Sequence, residues 1–246
     1  MAEGRVEIDG DRVSRPAYWW TPTVHALLRY LRENGFDKVP MPLGIADGRE
    51  TLTRISGESG VVGWRMVVPE PGLRAFARFL REYHDATTGF VAEVGSPWAF
   101  QDGAPLPEQV VCHGDPGPWN VVWREGNPVG LVDFDFAGPG DALLDVAYAL
   151  EYVAPFCDDN EAISWRSYPS PPDRRRRIAI FSDGYGLADT SGLVDAVIAR
   201  QQLDIVHVRD LAARNVEPQR TWVREGMLDQ LAERVRWSRE NQALFE

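Results

Sequence analysis

The sequence predicts an α+β protein with β-hairpins in its N-terminal part and a mainly helical C-terminal half. Before residue 57, short runs of alternating apolar and polar residues are bounded by turn-forming residues, a pattern typical of hairpins. After residue 173, apolar residues recur every three or four positions, which indicates amphipathic helices. Between these parts, the Asp-rich stretch 111–150 combines short strands with polar residues at the strand ends. This stretch is the candidate functional region.

Local signals place the individual elements. Hairpins are predicted at 5–15 and 39–55, strands at 110–112, 120–123 and 129–134, and helices at 21–34, 71–86, 142–152, 173–182, 190–215 and 221–241. Thr21, Asp173 and Thr190 are the expected N-caps. The polar segment 56–60 is typical of a linker, so we expect a small N-terminal lobe at 1–57 and a C-terminal lobe at 58–246.

Two long connections, an arginine run and two histidines lie outside these elements or have no assigned role. The long loop 87–108 is expected to pack on the surface or shape a binding site, and 157–172 is expected to be irregular. The run of arginines at 174–177 is interpreted as a solvated helix face in preference to a phosphate site. His25 and His84 are interpreted as surface, packing or capping residues.

Composition excludes several classes of protein. A chain of 246 residues that is 44% hydrophobic can bury a sizeable core. No run of 18 apolar residues occurs, so no membrane span or membrane partner is expected. The acidic first residues do not resemble a signal peptide, and the two cysteines lack metal or redox spacing. We therefore expect a cytoplasmic, reduced protein.

The charge balance bears on possible partners. The net charge of −11 disfavours nucleic acid, whose phosphates require a basic protein face. The same charge weakly favours a cationic substrate. Almost all positive charge is Arg, and the single Lys is Lys38.

The spacing of three polar residues predicts a chemistry. His113-Gly114-Asp115 is followed after four residues by Asn120, and Asp133 follows an apolar strand. In phosphoryl transfer, the Asp of such a loop accepts the proton of the substrate hydroxyl, while the Asn and a second Asp hold Mg²⁺. These residue types are needed because negative charge spreads over phosphate oxygens in the transition state and hard cations take oxygen ligands.

This stretch resembles the aminoglycoside phosphotransferase and choline kinase family, the protein-kinase-like small-molecule kinases. The resemblance rests on three motifs in order: His113 to Asn120, Val132-Asp133-Phe134, and the segment from Gly140-Asp141 to Asp145-Val146-Ala147. It implies a two-lobed protein-kinase-like fold with a nucleotide bound between the lobes. It also implies that the backbone of the linker contacts the adenine.

The motifs assign candidate roles. Asp115 is the candidate base, and Asn120 and Asp133 are the candidate Mg²⁺ ligands. Asp135 could join the metal site through a second metal or a water, and His113 is expected to orient the loop. Asp145 is expected to accept hydrogen bonds that fix the loop, or alternatively to be a simple helix N-terminal carboxylate. Trp119 is either a wall of the substrate site or a core residue.

The N-terminal part departs from the family pattern. Only fourteen residues precede Arg15, which is too few for the two strands and phosphate-covering loop of the family, so a truncated N-terminal lobe is expected. No Lys lies on the strand that matches the family's ATP-contacting strand, and Arg15 is the nearest cation and the candidate nucleotide-binding residue. The following helix has no acid before Glu33, so the usual Lys–Glu pair has no evident equivalent.

The resulting hypothesis is an Mg²⁺-dependent phosphotransferase that uses ATP or GTP and acts on a hydroxyl of a small molecule, aminoglycoside-like or another amine-bearing alcohol. The alternative is a non-catalytic, pseudokinase-type protein that binds a ligand or serves as a scaffold. A metal-dependent hydrolase would need a denser set of ligands including His, and the four scattered histidines do not supply one.

Overall fold

The computed structural model describes residues 6–93 and 95–245, and it confirms the α+β class. The strands are β1 Glu7–Asp9, β2 Arg12–Pro16, β3 Pro42–Ala46, β4 Arg49–Thr53, β5 Val110–Cys112, β6 Val121–Arg124, β7 Asn127–Leu131 and β8 Gly138–Gly140. The helices are α1 Thr21–Glu33, α2 Val61–Val67, α3 Glu70–Thr87, α4 Leu143–Val153, α5 Asp159–Trp165, α6 Arg174–Tyr185, α7 Leu193–Ala213, α8 Gln219–Arg224 and α9 Met227–Glu240.

The first four strands form one antiparallel sheet in the order β1-β2-β4-β3. Both predicted hairpins are confirmed for the described residues, and Arg5 lies outside that range. The hairpins join through β2 and β4, which places Arg15 directly opposite Glu50. Helix α1 follows β2, and its buried stripe includes Leu27 and Leu31. This register brings two oppositely charged side chains together, because directly opposed residues of paired strands share a face.

The expected N-cap of α1 was wrong. Trp20 occupies the cap position and supplies no side-chain cap, while the Thr21 hydroxyl accepts a hydrogen bond from the backbone N–H of Tyr18 at 2.8 Å. The side chain thus stabilises the turn before the helix instead of the first helical N–H groups.

The segment that follows the sheet is tied to the central stretch. Glu58 and Trp123 exchange two backbone hydrogen bonds, at 2.9 and 2.8 Å. The segment 56–60 therefore contacts β6 directly. The domain boundary at residue 57 stays a prediction.

The central stretch forms two short antiparallel ladders, β5 with β8 and β6 with β7. Strand β8 was not predicted, because its sequence Gly-Pro-Gly has the composition of a turn. The strand predicted at 129–134 ends earlier, at Leu131, and residues Phe134–Phe136 form a 3₁₀ turn. Asp133 has a φ of 67°, in the left-handed region, and this bends the chain so that two carboxylates follow the strand.

Helix α3 lies at the centre of the core, with the apolar face that its sequence predicts. Its buried residues include Leu73, Phe76 and Leu80, and the rings of Phe76 and Phe181 on α6 make an edge contact with centroids 6.0 Å apart. Each such side chain contributes roughly 1.5–3 kcal/mol when buried. The α3–α6 pair therefore forms a rigid base beneath the Asp-rich stretch.

Three helix predictions need correction. Residues 157–172, expected to be irregular, contain α5, whose N-cap Asp158 accepts from the N–H of Glu161 at 3.0 Å. The helix predicted at 221–241 is two helices, because Gly226 with a φ of 87° separates α8 from α9. Helix α7 starts after Gly192 and is not capped by Thr190. The expected cap Asp173 is confirmed, since it accepts from the N–H of Arg176.

The arginine run is only partly a solvated face. Arg174 and Arg177 are 5% and 6% exposed, so that interpretation was wrong for both. The Arg177 guanidinium donates to the carbonyls of Val67 and Val68 at 2.6 and 2.8 Å, and also to the carbonyl of Val153. These carbonyls belong to the C-terminal ends of α2 and α4, which lack helical partners and carry partial negative charge.

No helix among residues 6–93 and 95–245 is both long and apolar enough to cross a membrane.

We expect Arg177→Leu to lower the free energy of unfolding by about 2–4 kcal/mol, because the carbonyls of Val67 and Val68 lose their side-chain donor and that of Val153 keeps only the Tyr168 hydroxyl among the described side chains. Arg176→Leu is the matched control: this neighbouring arginine is exposed and pairs with Glu70 at the surface, so a change below about 1 kcal/mol is expected. Urea unfolding of both variants measures the difference. Equal losses in the two variants would show that the carbonyl contacts of Arg177 contribute nothing.

Candidate active site

Asp145 fixes the backbone of the loop that carries Asp115. It lies in the first turn of α4, is fully buried, and accepts hydrogen bonds from the backbone N–H groups of His113 and Gly114 at 2.6 and 2.9 Å. Burial alone would raise its pKa, but a hydrogen bond from His84 and the charges nearby hold the pKa of Asp145 below its ordinary value. The carboxylate therefore stays ionised and holds two consecutive amides.

His84 belongs to this arrangement, so the surface or capping interpretation was wrong. It is 2% exposed, and its Nε2 lies 3.0 Å from Oδ2 of Asp145. Its Nδ1 lies 2.6 Å from the Tyr185 hydroxyl on α6. Its position on the buried face of α3, one residue after Tyr83, was the available signal. A charged partner at that depth is not visible in a sequence.

The loop conformation requires glycine at position 114. Its φ is 82°, and a Cβ there would lie 2.1 Å from the backbone oxygen of Phe136. His113 is fully buried, with Nε2 3.0 Å from the Val132 carbonyl and Nδ1 3.3 Å from the N–H of Asp115. Burial lowers the pKa of His113, so the neutral ring connects the loop to the chain before Asp133.

Asp115 is held by Asn120. The Asn120 amide nitrogen donates to the backbone oxygen and to Oδ2 of Asp115, at 2.9 and 3.0 Å. Oδ1 of Asp115 is buried and makes no hydrogen bond within the described part of the chain. Burial raises the pKa of Asp115 to about 7, the charge of Asp133 adds to this, and the Tyr148 hydroxyl, Asn120 and Arg200 oppose it. A carboxylate poised near neutral pH suits proton acceptance.

Arg15 forms ion pairs with three carboxylates. Its Nε lies 2.6 Å from Oε1 of Glu50, its Nη1 2.5 Å from Oδ1 of Asp133, and its Nη2 2.9 Å from Oδ1 of Asp135. Although burial opposes its charge, the three carboxylates raise the pKa of Arg15 above its ordinary value, so it remains a cation. One guanidinium among three ionised carboxylates leaves a formal charge of −2 at this point.

Glu50 was not found by sequence reasoning, which looked for an acid on α1. It comes instead from β4, is 1% exposed, and accepts from His25 of α1 as well, with Oε2 2.7 Å from Nε2. His25 is therefore buried and holds Glu50 in place. The single Lys38 is exposed and pairs with Glu82 at 2.6 Å, away from this cluster.

The cluster borders a cavity of about 230 Å³ that is also lined by Tyr18 and Asp115. Within the described residues, no group of three or more His, Cys, Asp or Glu side chains could hold a metal by itself. The cavity nevertheless offers hard oxygen donors, the carboxylates of Asp133 and Asp135, whereas Asn120 is buried behind Asp115 and does not line it. Such donors suit Mg²⁺, which uses one or two carboxylates together with substrate phosphates and waters. The residual charge of −2 fits a divalent cation.

A second cavity, of about 320 Å³, lies on the other side of Asp115. We call it the aromatic cavity. Its aromatic side chains are Phe100, Trp119, Phe136, Tyr148, Tyr152 and Trp222. It shares Asp115, Phe136, Gln219 and Trp222 with the first cavity. Loop 87–108 contributes Phe100, and the polar motifs of the sequence give no signal for the walls that come from α7, α8 and α9.

Comparison with known sequences gives two matches. A model described as the phosphotransferase enzyme family matches residues 97–180, which include the Asp115 loop and Asp133. The trifolitoxin immunity protein of Rhizobium leguminosarum bv. trifolii is 38% identical over 197 residues, which cover 77% of this chain and 74% of that protein.

Solved structures show the same fold. The GDP complex of wild-type aminoglycoside 2'-phosphotransferase-IIIa has a TM-score of 0.61 at 14% identity, covering 98% of this chain and 92% of the other. Amicoumacin kinase hAmiN in complex with AMP-PNP, Ca2+ and Ami has a TM-score of 0.59 at 12% identity, covering 98% and 90%. A choline/ethanolamine kinase family protein from Mesorhizobium loti has a TM-score of 0.55 at 14% identity, covering 96% and 89%. The chain therefore belongs to the phosphotransferase enzyme family and has the protein-kinase-like fold of the small-molecule kinases.

Proposed function

We propose that this protein transfers the γ-phosphoryl group of ATP or GTP to a hydroxyl of a small molecule, with Mg²⁺ as cofactor. The observation that carries the proposal is the position of Asp115, whose side chain borders both cavities. One cavity is charged and carries Arg15 and the oxygen donors, and the other is lined by aromatic side chains. A nucleotide phosphate in the first cavity and a hydroxyl in the second would meet at this carboxylate.

Asp115 is proposed as the base. Its carboxylate borders both cavities, where the hydroxyl of a bound substrate can reach it. In the reaction the hydroxyl oxygen forms a bond to the γ-phosphorus, the bond from that phosphorus to the β-bridging oxygen breaks, and the hydroxyl proton passes to Asp115. Asn120 fixes the rotamer of Asp115 through Oδ2. A positioned base of this kind contributes about 10²–10⁴-fold to a rate.

Asn120 and Asp133 are proposed to hold Mg²⁺, with Asp135 as a further carboxylate. When bound, the metal would neutralise charge that develops on the phosphate oxygens. Arg15 is proposed to contact the nucleotide phosphates with its planar guanidinium, which binds oxygen pairs in a fork. Glu50 and His25 would keep this guanidinium at the cavity.

The second candidate function is that of a non-catalytic, pseudokinase-type binding protein. It is favoured by the ion pairs of Arg15 with Asp133 and Asp135, which supply these carboxylates with a cation from the protein itself. A relative named as an immunity protein is compatible with either function, because a toxin can be neutralised by binding or by modification.

Thermal shift measurements with ATP, GTP and non-hydrolysable analogues, with and without Mg²⁺, separate the two candidates, because a ligand that binds the native state raises the melting temperature. The phosphotransferase predicts stabilisation by one nucleotide that requires Mg²⁺. If no nucleotide stabilises the protein at millimolar concentration, the binding protein becomes the better interpretation.

We expect Asp115→Asn to lower turnover by about 10²-fold or more, because the amide cannot accept the proton. Nucleotide hydrolysis or transfer measured at saturating nucleotide checks this, and Asp85→Asn, an exposed carboxylate on α3, serves as the control. Wild-type turnover in Asp115→Asn would exclude Asp115 as the base.

Asp115→Asn is also expected to change how the free energy of unfolding depends on pH. The pKa of Asp115 is higher in the folded protein than in the unfolded chain, so the native state binds the additional proton and loses stability as the pH rises from about 4 to about 7. This loss is at most about 4 kcal/mol for a shift of about three units. Without metal, the free energy of unfolding of Asp115→Asn should therefore exceed that of wild type at pH 8 and should no longer exceed it near pH 4. Urea unfolding at the two pH values measures the difference.

Asp133→Ala is expected to abolish the Mg²⁺-dependent part of nucleotide affinity, because it removes an oxygen donor at the charged cavity. Asn120→Ala is expected to weaken it, because it removes a proposed oxygen ligand. Titration with the nucleotide at increasing Mn²⁺ or Mg²⁺ concentration measures this part, and titration without metal is the internal control. An unchanged metal dependence in Asp133→Ala would make Asp135 the better candidate ligand.

Arg15→Ala is expected to weaken nucleotide binding by roughly 1.5–3 kcal/mol, the usual contribution of a charged hydrogen bond. Arg15→Lys should retain part of the affinity, because it keeps the charge and loses the fork. Lys38→Ala is the matched control and should have no effect, since its ion pair with Glu82 is at the surface. Calorimetry measures all three, and equal affinity of Arg15→Ala and wild type would contradict the assignment.

A further inference from the structure

The charges of the aromatic cavity limit the kind of acceptor it can bind. Two carboxylates line it, Asp115 and Asp204, and two guanidinium groups, Arg200 and Arg234. Asp204 is already paired with Arg200, which also donates to the carbonyl of Gly114 at 2.7 Å. A polycation needs several unpaired carboxylates, and this cavity offers none besides the proposed base.

Two of the aromatic rings of this cavity, those of Tyr148 and Tyr152, already face cations of the protein itself. The Arg200 guanidinium lies 4.7 Å from the ring centre of Tyr148. The guanidinium groups of Arg166 and Arg234 lie 5.2 and 6.0 Å from the ring centre of Tyr152. Since each of these rings already faces a cation, a ligand ammonium would be repelled where a cage would attract it.

Arg234 keeps donors for a ligand. Its Nη1 donates to Oε1 of Glu151 at 3.1 Å and to the Tyr152 hydroxyl at 3.3 Å. Its other two nitrogens make no hydrogen bond within residues 6–93 and 95–245, and its side chain is 31% exposed at the cavity. A carboxylate is the ligand group that a guanidinium with open N–H groups binds best.

Gln219 supplies a second polar group. It is 3% exposed, borders both cavities, and its Oε1 is buried without a hydrogen-bond partner in the described part of the chain. A buried acceptor without a donor costs about 1–3 kcal/mol. A ligand that donates a hydrogen bond close to the transferred hydroxyl would recover this cost.

The remaining walls are apolar or uncharged. His207 stacks on Phe100, with ring centres 3.6 Å apart, and burial lowers its pKa to about 3, so it is neutral near pH 7. Val208, Leu211, Met227 and Leu231 complete the lining. Such a surface favours a flat apolar body over a heavily hydrated one.

We propose that the acceptor is a hydroxyl compound with an aromatic body and a carboxylate, in place of the amine-bearing alcohol predicted from the sequence. Arg234 binds the carboxylate, Gln219 accepts a hydrogen bond beside the transferred hydroxyl, and the aromatic walls contact the flat body. This proposal rests on the proposed function, because it takes the aromatic cavity as the acceptor site.

Calorimetry of the full chain with two probes of the same body tests it: 4-hydroxyphenylacetate, which carries a carboxylate, and tyramine, which carries an amine. Wild type should bind the carboxylate at least about tenfold more tightly, the range of a charged hydrogen bond. Arg234→Gln should lose this preference and Arg234→Lys should keep part of it. Arg236→Gln, on the same helix but exposed and paired with Glu233, is the matched control and should behave as wild type.

Arg234→Gln leaves the buried Glu151 unpaired and could misfold for that reason, so a second variant is needed. Trp222, 37% exposed, can be removed with less effect on the core, and Trp222→Ala should weaken both probes by the same factor. Tighter binding of tyramine or of kanamycin, or no binding of either aromatic probe at about 10 mM, overturns the proposal. Nucleotide affinity is measured on wild type, because Trp222 lines the charged cavity as well. If wild type binds no nucleotide, the proposed function fails, whichever aromatic probe it prefers.

Discussion

The contact of Arg15 with Glu50, Asp133 and Asp135 is the interaction on which the candidate site depends. It joins the N-terminal sheet to the segment after β7, and the side chains of Arg15, Glu50 and Asp135 are mostly removed from water, whereas that of Asp133 is half exposed. Buried charges are stable only when they are paired, so each partner constrains the others. The guanidinium fixes where the two Asp carboxylates lie, while Glu50 and His25 fix the guanidinium. The position of the sheet relative to the carboxylates that follow β7 therefore depends on this contact.

A second polar group supports the loop from below. Asp145 holds two backbone amides of the loop, His84 and Tyr185 hold Asp145, and these residues come from α4, α3 and α6. Helices α3 and α6 pack through large apolar side chains. Because His84 and Tyr185 belong to these helices, their hydrogen bonds through Asp145 attach the loop of Asp115 to the packed core. Groups oriented in this way lose little freedom when a substrate binds, which is how a scaffold lowers a reaction barrier.

The sequence predicted the parts of this arrangement that depend on local pattern. Both N-terminal hairpins, the apolar face of α3 and the polar motifs of the central stretch follow from periodicity and turn residues. It did not predict Glu50, because no local signal shows that the second hairpin pairs with β2 and so places position 50 opposite Arg15. It misjudged His84 and Arg177 for the same reason, since their partners lie 61 and about 110 residues away along the chain. The break at Gly226 was missed because a single glycine inside a periodic stretch is usually tolerated.

The overall charge of the chain is a poor guide to the groups that line its cavities. The net charge of −11 is a sum over the whole molecule, whereas recognition depends on the groups that line the cavity. Asp204 is paired with Arg200, and Arg234 is paired with the buried Glu151 but lines the cavity with nitrogens that make no hydrogen bond within the described residues. The charged cavity beside it keeps a deficit of two positive charges around Arg15. The two cavities that meet at Asp115 therefore present different groups, which is why we propose a divalent cation for one and an aromatic anion for the other.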